Sequence, residues 1–270
     1  VPKDDSLKLT VKGTLSQTGT SKPGKPGAKV QVDYNDDDST GTRGVGSDSG
    51  ATIDRTSSSD TATAGVRVFR SFPVLEKIAV PSATLINSDN TFYRFSVTAD
   101  SADDISLYKF TIQMTTTTGV SITDLNVYAY EDSGFSTPVS GVSGSGAVLM
   151  TSLTATSTNE MNFAIENAAG TPTPLEIPAG TTRYFEVRGV ASGVGTNDTV
   201  STKLLGDAAF PSLSTTMDTA TAIDNDTNND FIWSPNSTTS PAIADNDWTN
   251  GFGLIGLPAI NMTTEVLSES

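Results

Sequence analysis

Residues 91–114 read TFYRFSVTADSADDISLYKFTIQM, two alternating stretches divided by a polar break of Asp, Ser and Ala. In the first, Tyr93, Phe95 and Val97 share one side of an extended chain, and in the second Tyr108, Phe110, Ile112 and Met114 do. A period of two marks a strand with one buried face, because successive side chains of an extended backbone point to opposite faces. The aromatic and β-branched residues at these positions suit a pleated, half-buried surface.

Outward from this stretch the pattern recurs. VRVFR (66–70), ITDLNVYAY (122–130), AVLMTSL (147–153), MNFAIE (161–166), RYFEVRGVA (183–191) and TVSTKLLG (199–206) are short, alternate apolar with polar residues, and are separated by Gly, Pro, Asn, Asp and Ser. Leu125, Val127 and Ala129 form one such set, and Met161, Phe163 and Ile165 another. Leu175 and Ile177 close a strand, Pro178-Ala179-Gly180 makes a turn, and Phe185 and Val187 resume the alternation. With no helical pattern between them, these strands predict an all-β fold: an antiparallel β-sandwich, jelly-roll or Ig-like, over residues 66–215.

Two further segments precede the predicted sandwich. Residues 1–28 form a basic arm and linker, in which Leu7, Leu9, Val11 and Leu15 alternate with polar residues that include Lys8 and Lys12, before the Pro/Gly-rich SKPGKPGA (21–28). Residues 29–65 offer one short alternation, Val30, Val32 and Tyr34, and then an acidic Ser/Gly/Asp-rich loop with almost nothing to bury. The arm and the rest differ in charge. Residues 1–29 hold six lysines against Asp4 and Asp5, so of the net −15 the remainder of the chain carries −19. Such a body repels polyanions, and no nucleic-acid partner is expected.

The chain has 270 residues, 36% of them hydrophobic, which is enough for a proper core. It contains no His and no Cys. Ordinary Ser-His-Asp or Cys-His catalysis and imidazole zinc sites are thereby excluded, and stability must come without disulfides. A carboxylate pair could still hydrolyse glycosides, but no pair stands out among 31 Asp and Glu, so no enzyme activity is expected. No run approaches a membrane span, and the opening VPKDDS is expected to be a mature end left after removal of a signal sequence.

Residues 216–270 form an acidic and aromatic tail expected to be irregular and to pack on the sandwich; within it 224–258 read DNDTNNDFIWSPNSTTSPAIADNDWTNGFGLIGLP. Asp224, Asp226, Asn228 and Asp230 place an oxygen ligand on every second residue, as a loop around a hard cation does. The EF-hand pattern fails, since Asn229 and Pro235 stand where Gly and Glu are needed, so the candidate is a looser Ca²⁺ loop, with a solvated polar loop as the alternative. Asp33, Asn35 and Asp37 form a second candidate for Ca²⁺. Asn197, Asn225, Asn236 and Asn261 each begin an Asn-X-Ser/Thr acceptor for a glycan. Phe231, Trp233, Trp248 and Phe252 are the expected tail anchors, because large rings are favourable only when covered.

Phe231-Ile232-Trp233-Ser234 and Asp247-Trp248-Thr249-Asn250-Gly251, together with IPAGTTRYFEVRG (177–189) and TKLLGDAAFP (202–211), make residues 66–260 similar to a group of modular cell-surface proteins of candidate-phyla bacteria of the Parcubacteria kind. The resemblance implies an exported surface role and no known catalytic site. The chain lacks a recognisable peptidoglycan-binding module found in longer members. The expectation is a structural subunit of an extracellular filament or surface layer, a homopolymer in which the arm, through Leu7, Leu9, Val11, Leu15, Lys8 and Lys12, adds to the next copy. The alternative is a surface adhesin or carbohydrate-binding sandwich.

Overall fold

The computed structural model describes residues 5–19, 21–34, 43–54, 61–142, 153–156, 158–211, 229–237, 247–257 and 261–269. Through them run β1 (Ala28–Val30), β2 (Asp33–Tyr34), β3 (Arg43–Val45), β4 (Thr52–Asp54), β5 (Thr61–Ala62), β6 (Val66–Val68), β7 (Pro73–Ile78), β8 (Asp89–Ala99) and β9 (Ile105–Thr116). There follow β10 (Ser121–Tyr130), β11 (Leu153–Thr156), β12 (Thr158–Ala164), β13 (Leu175–Ile177), β14 (Thr182–Ser192), β15 (Thr199–Leu204), β16 (Phe231–Ser234), β17 (Thr249–Asn250) and β18 (Glu265–Ser268). Among the described residues no helix is long and apolar enough to cross a membrane.

The fold is an all-β antiparallel sandwich. One sheet has the order β11-β10-β14-β8-β7. The other is built on β9, which pairs with β12 and β13 along one side and with β15 and β16 along the other; β18 lies beyond β15 and β17 beyond β16. The inward faces meet in one apolar core that contains the expected sets from Tyr93 to Val97, Leu125 to Ala129 and Met161 to Ile165. At its centre Phe95 stacks on Phe185 at 4.9 Å, and Phe110 of the facing sheet meets both rings edge-on at 5.5 and 5.6 Å. Each such pair adds roughly 0.5–1.5 kcal/mol to what burial supplies.

Tyr108 departs from the expected face. The pairing with β16 steps from Ile232↔Lys109 to Trp233↔Leu107, which leaves Tyr108 as one extra residue, a β-bulge. Ile105 and Leu107 face the core before the bulge and Phe110, Ile112 and Met114 after it, while Tyr108 joins Ile232 and Trp248 in a second apolar cluster. β7 was invisible to the alternation rule because Glu76, Lys77 and Ile78 face partly outward; Lys77 instead pairs with Glu265 at 2.8 Å.

Two other expectations change. Residues 29–65 are not simply a loop: β1 pairs with β6, β2 with β5 and β3 with β4, three nested antiparallel pairs. Val45 and Ile53 are 63% and 72% exposed, so ladder hydrogen bonds rather than burial hold that tip, which is why composition concealed it. The tail is not merely draped on the sandwich, since β16 lies between β9 and β17 inside the larger sheet. The arm, residues 5–17, forms no strand within the chain. AVLMTSL lies outside the described residues except for Leu153.

Trp233 is fully buried in the main core, its Nε1 donating to the Asn250 carbonyl at 2.8 Å. Replacing it by Ala removes a large buried ring and strands that carbonyl, so the unfolding free energy in denaturant titrations should fall by roughly 3–5 kcal/mol. A loss under about 1 kcal/mol would mean that β16 is dispensable to the fold.

Candidate functional site: the free arm and the polar cluster beneath the tail

The arm presents Leu7, Leu9, Val11 and Leu15 at 54–80% exposure, and Lys8 and Lys12 are exposed as well. Among the described residues no sheet ladder reaches it. After a turn closed by Gly24 N–H donating to the Gln17 carbonyl at 3.0 Å, the chain enters β1. The base of the β1–β6 pair is fixed by Arg67, which lies 3.5 Å over the Phe210 ring and donates to the Gly27 carbonyl at 2.9 Å. Beside it opens a cleft of about 450 Å³ whose apolar lining includes Phe69, Phe72, Phe252, Leu254 and Ile255, with Lys29 and Arg67 supplying positive charge. Phe252 and Ile255 are exposed there.

The four expected anchors divide. Phe231 and Trp233 belong to the main core, and the Trp233 ring lies 5.1 Å from Phe69. Trp248 is buried outside that core, 5.6 Å from Tyr108. Phe252 stays at the cleft.

Beneath the tail the structure gathers polar groups that the pattern of apolar residues did not single out. Asp207, only 1% exposed, accepts backbone N–H bonds from Asp230 (2.8 Å), Phe231 (3.3 Å) and Gly251 (2.7 Å). Asp247, also buried, accepts from Ser234 Oγ and from the Ser237 N–H, both at 2.8 Å. Lys109, fully buried in β9, donates from Nζ to Asn229 Oδ1 at 3.2 Å. One signal for this cluster was available: a lone lysine in ISLYKFTIQM, where both flanking residues are aromatic. Burial pushes the Asp207 carboxyl up to about 6; nearby Asp230 pushes the same way, and the three N–H donors oppose it.

The metal candidates fare unevenly. Asp33 is exposed on β2, while Asn35 and Asp37 lie outside the described residues, as do Asp224, Asp226 and Asn228. Asp230 is buried, its backbone held by Asp207. Among the described residues no group of three or more acidic side chains could hold a metal ion. Of the glycan acceptors, Asn197 and Asn236 take left-handed backbone conformations, with φ of 69° and 47°; Asn225 is outside the described residues.

No family model matches the chain, and no curated protein does. Among solved structures, one described as "Structure of infectious bursal disease virus Gx strain" is similar at 14% identity and a TM-score of 0.22, over 69% of this chain and 51% of that one. A score that low carries no argument about fold or role.

The Asp207 carboxyl gives a pH prediction. A folded value of about 6 against about 4 in the unfolded chain means that the native state binds more protons between those values. Its contribution is fully present below about pH 4 and is lost as pH rises through 6, a change of roughly 3 kcal/mol. Asp207→Asn should lower stability most at low pH, and its deficit against the parent should shrink between pH 4 and 7. Parallel stability profiles for the two proteins would show that Asp207 does not titrate in this window.

Proposed function

We propose that the protein is a structural subunit of an extracellular filament or surface layer, assembled by strand donation: the arm of one copy docks on the sandwich of the next. The observation that carries this reading is the arm, an alternating apolar segment with its leucines in water and no ladder partner among the described residues of its own chain. Exposed leucines at every second position are unfavourable unless something covers them, and an added strand is covered through main-chain hydrogen bonds and pockets for alternate side chains.

The sandwich offers matching features. Alternation lets Leu7, Leu9 and Val11 enter the apolar cleft at Phe69, Phe72 and Ile255 while Lys8 and Lys12 turn to solvent, away from Lys29 and Arg67. At longer range a +4 arm is attracted by a −19 body, which speeds encounter and disfavours arm-to-arm contact. The adhesin alternative is less well supported, because Trp233 and Trp248 are buried and leave Phe252 as the exposed ring of the described tail.

Removal of residues 1–15 should leave a soluble monomer with an unchanged melting temperature that no longer assembles, whereas the complete chain forms filaments or sheets in electron micrographs. A synthetic peptide of residues 1–15 should inhibit that assembly. Monodisperse particles of the complete chain at every concentration, or unfolding of the truncated chain, would refute strand donation.

A further inference from the structure

The geometry points to a covalent modification within the chain: an isopeptide bond between Lys109 Nζ and Asn229 Cγ. Nζ sits 3.2 Å from Asn229 Oδ1, so the amine nitrogen is already beside the amide carbon it would attack. Both residues are buried, Lys109 completely and Asn229 at 7% exposure. They are 120 residues apart in sequence but belong to neighbouring parts of one sheet, Lys109 in mid-β9 opposite Ile232, and Asn229 two residues before β16.

The chemistry balances without an outside reagent. The neutral amine of Lys109 attacks Asn229 Cγ, the Nζ–Cγ bond forms, the Cγ–Nδ2 bond breaks, and one amine proton passes to the leaving nitrogen, which departs as ammonia. If the lysine begins as the ammonium, its additional proton leaves with the ammonia as an ammonium ion. Nothing is oxidised or reduced. A lysine removed from water is an activated nucleophile, and a carboxyl group near the reacting amide can relay the proton. The candidate for that relay is Asp207, whose carboxyl accepts from the backbone N–H of Asp230, the residue next to Asn229. Its elevated value of about 6 lets it exchange a proton under mild conditions. The apolar cluster of Tyr108, Ile232 and Trp248 lies along the same stretch of β9 and β16, where exclusion of water suppresses competing attack of water on the Asn229 amide carbon.

The bond also accounts for a lysine in this position. A buried ammonium is costly even when paired, and an amide at the same place carries no charge. Covalent closure between β9 and the segment that leads into β16 would prevent the tail strand from being pulled out of the sheet.

The test is the intact mass of the folded, purified chain, read on monomer and therefore independent of any assembly. The mass should be lower than the sequence mass by about 17 Da, the loss of one ammonia. Proteolysis should release a branched peptide joining the segments around Lys109 and Asn229. Lys109→Arg and Asn229→Ala chains should each have their full sequence mass. Asp207→Ala should reach the same loss of about 17 Da more slowly than the parent in a mass time course begun at synthesis of the chain. A folded parent at full sequence mass, or a 17 Da loss with no branched peptide, would overturn the assignment whether or not either variant folds.

Discussion

The structure depends on β9 being buried on both faces. From Ile105 to Ile112 every residue of this strand is buried, which a two-layer sandwich alone cannot achieve, since it covers only one face of each sheet. The facing sheet covers the inner side through Phe95 and Phe185, and the tail covers part of the outer side through Trp248 on Tyr108. The bulge at Tyr108 makes the arrangement consistent. Leu107 and Phe110 are three positions apart, an odd number, so a regular strand could not turn both inward. One added residue resolves the parity and delivers Tyr108 to the outer cluster.

This parity problem also explains what could be read from the sequence. Sets such as Met161, Phe163 and Ile165 obey strict alternation, so their face was legible, as was the sandwich they imply. Tyr108 obeys the same rule on paper, and only the pairing partner reveals the bulge, since a register shift is a property of two strands. The same limit hid the pairing of Lys109 with Asn229: a lysine between two aromatics in an apolar strand is a signal, but its partner, 3.2 Å away, is not marked in the sequence. Asp207 was invisible for a different reason: its environment consists of backbone N–H groups, which every sequence possesses. The ribbon pairs of residues 28–68 escaped because their side chains are largely exposed, so no hydrophobic period recorded them.

Sheet edges are managed unequally. The outer side of β7 receives the tail: Leu75 N–H donates to the Ile255 carbonyl at 2.9 Å, and the next residue, Gly256, approaches so closely that any Cβ would strike the Leu75 carbonyl oxygen. With a φ of 82°, this is a position for glycine on both steric and conformational grounds. β18 is similarly met by residues 83–85, Ser268 donating to the Ala83 carbonyl at 2.9 Å. These contacts keep two edges from recruiting other chains at random and restrict where a neighbour can add.

The position of β16 has a further consequence for how the chain is made. β9 begins at Ile105, but its neighbour β16 is supplied by residues 231–234, and β18 closes against β15 and the 83–85 turn only at residues 265–268. Until residues 231–234 have been made, the Ser106–Phe110 part of β9 lacks its partner on one side, and Tyr108 stays uncovered until Trp248 follows. Non-local pairing of this kind makes folding slow compared with helical proteins of equal size, because loop closure precedes any compensating contact. The larger sheet is therefore completed late, by segments that lie far in sequence from the strand at its centre.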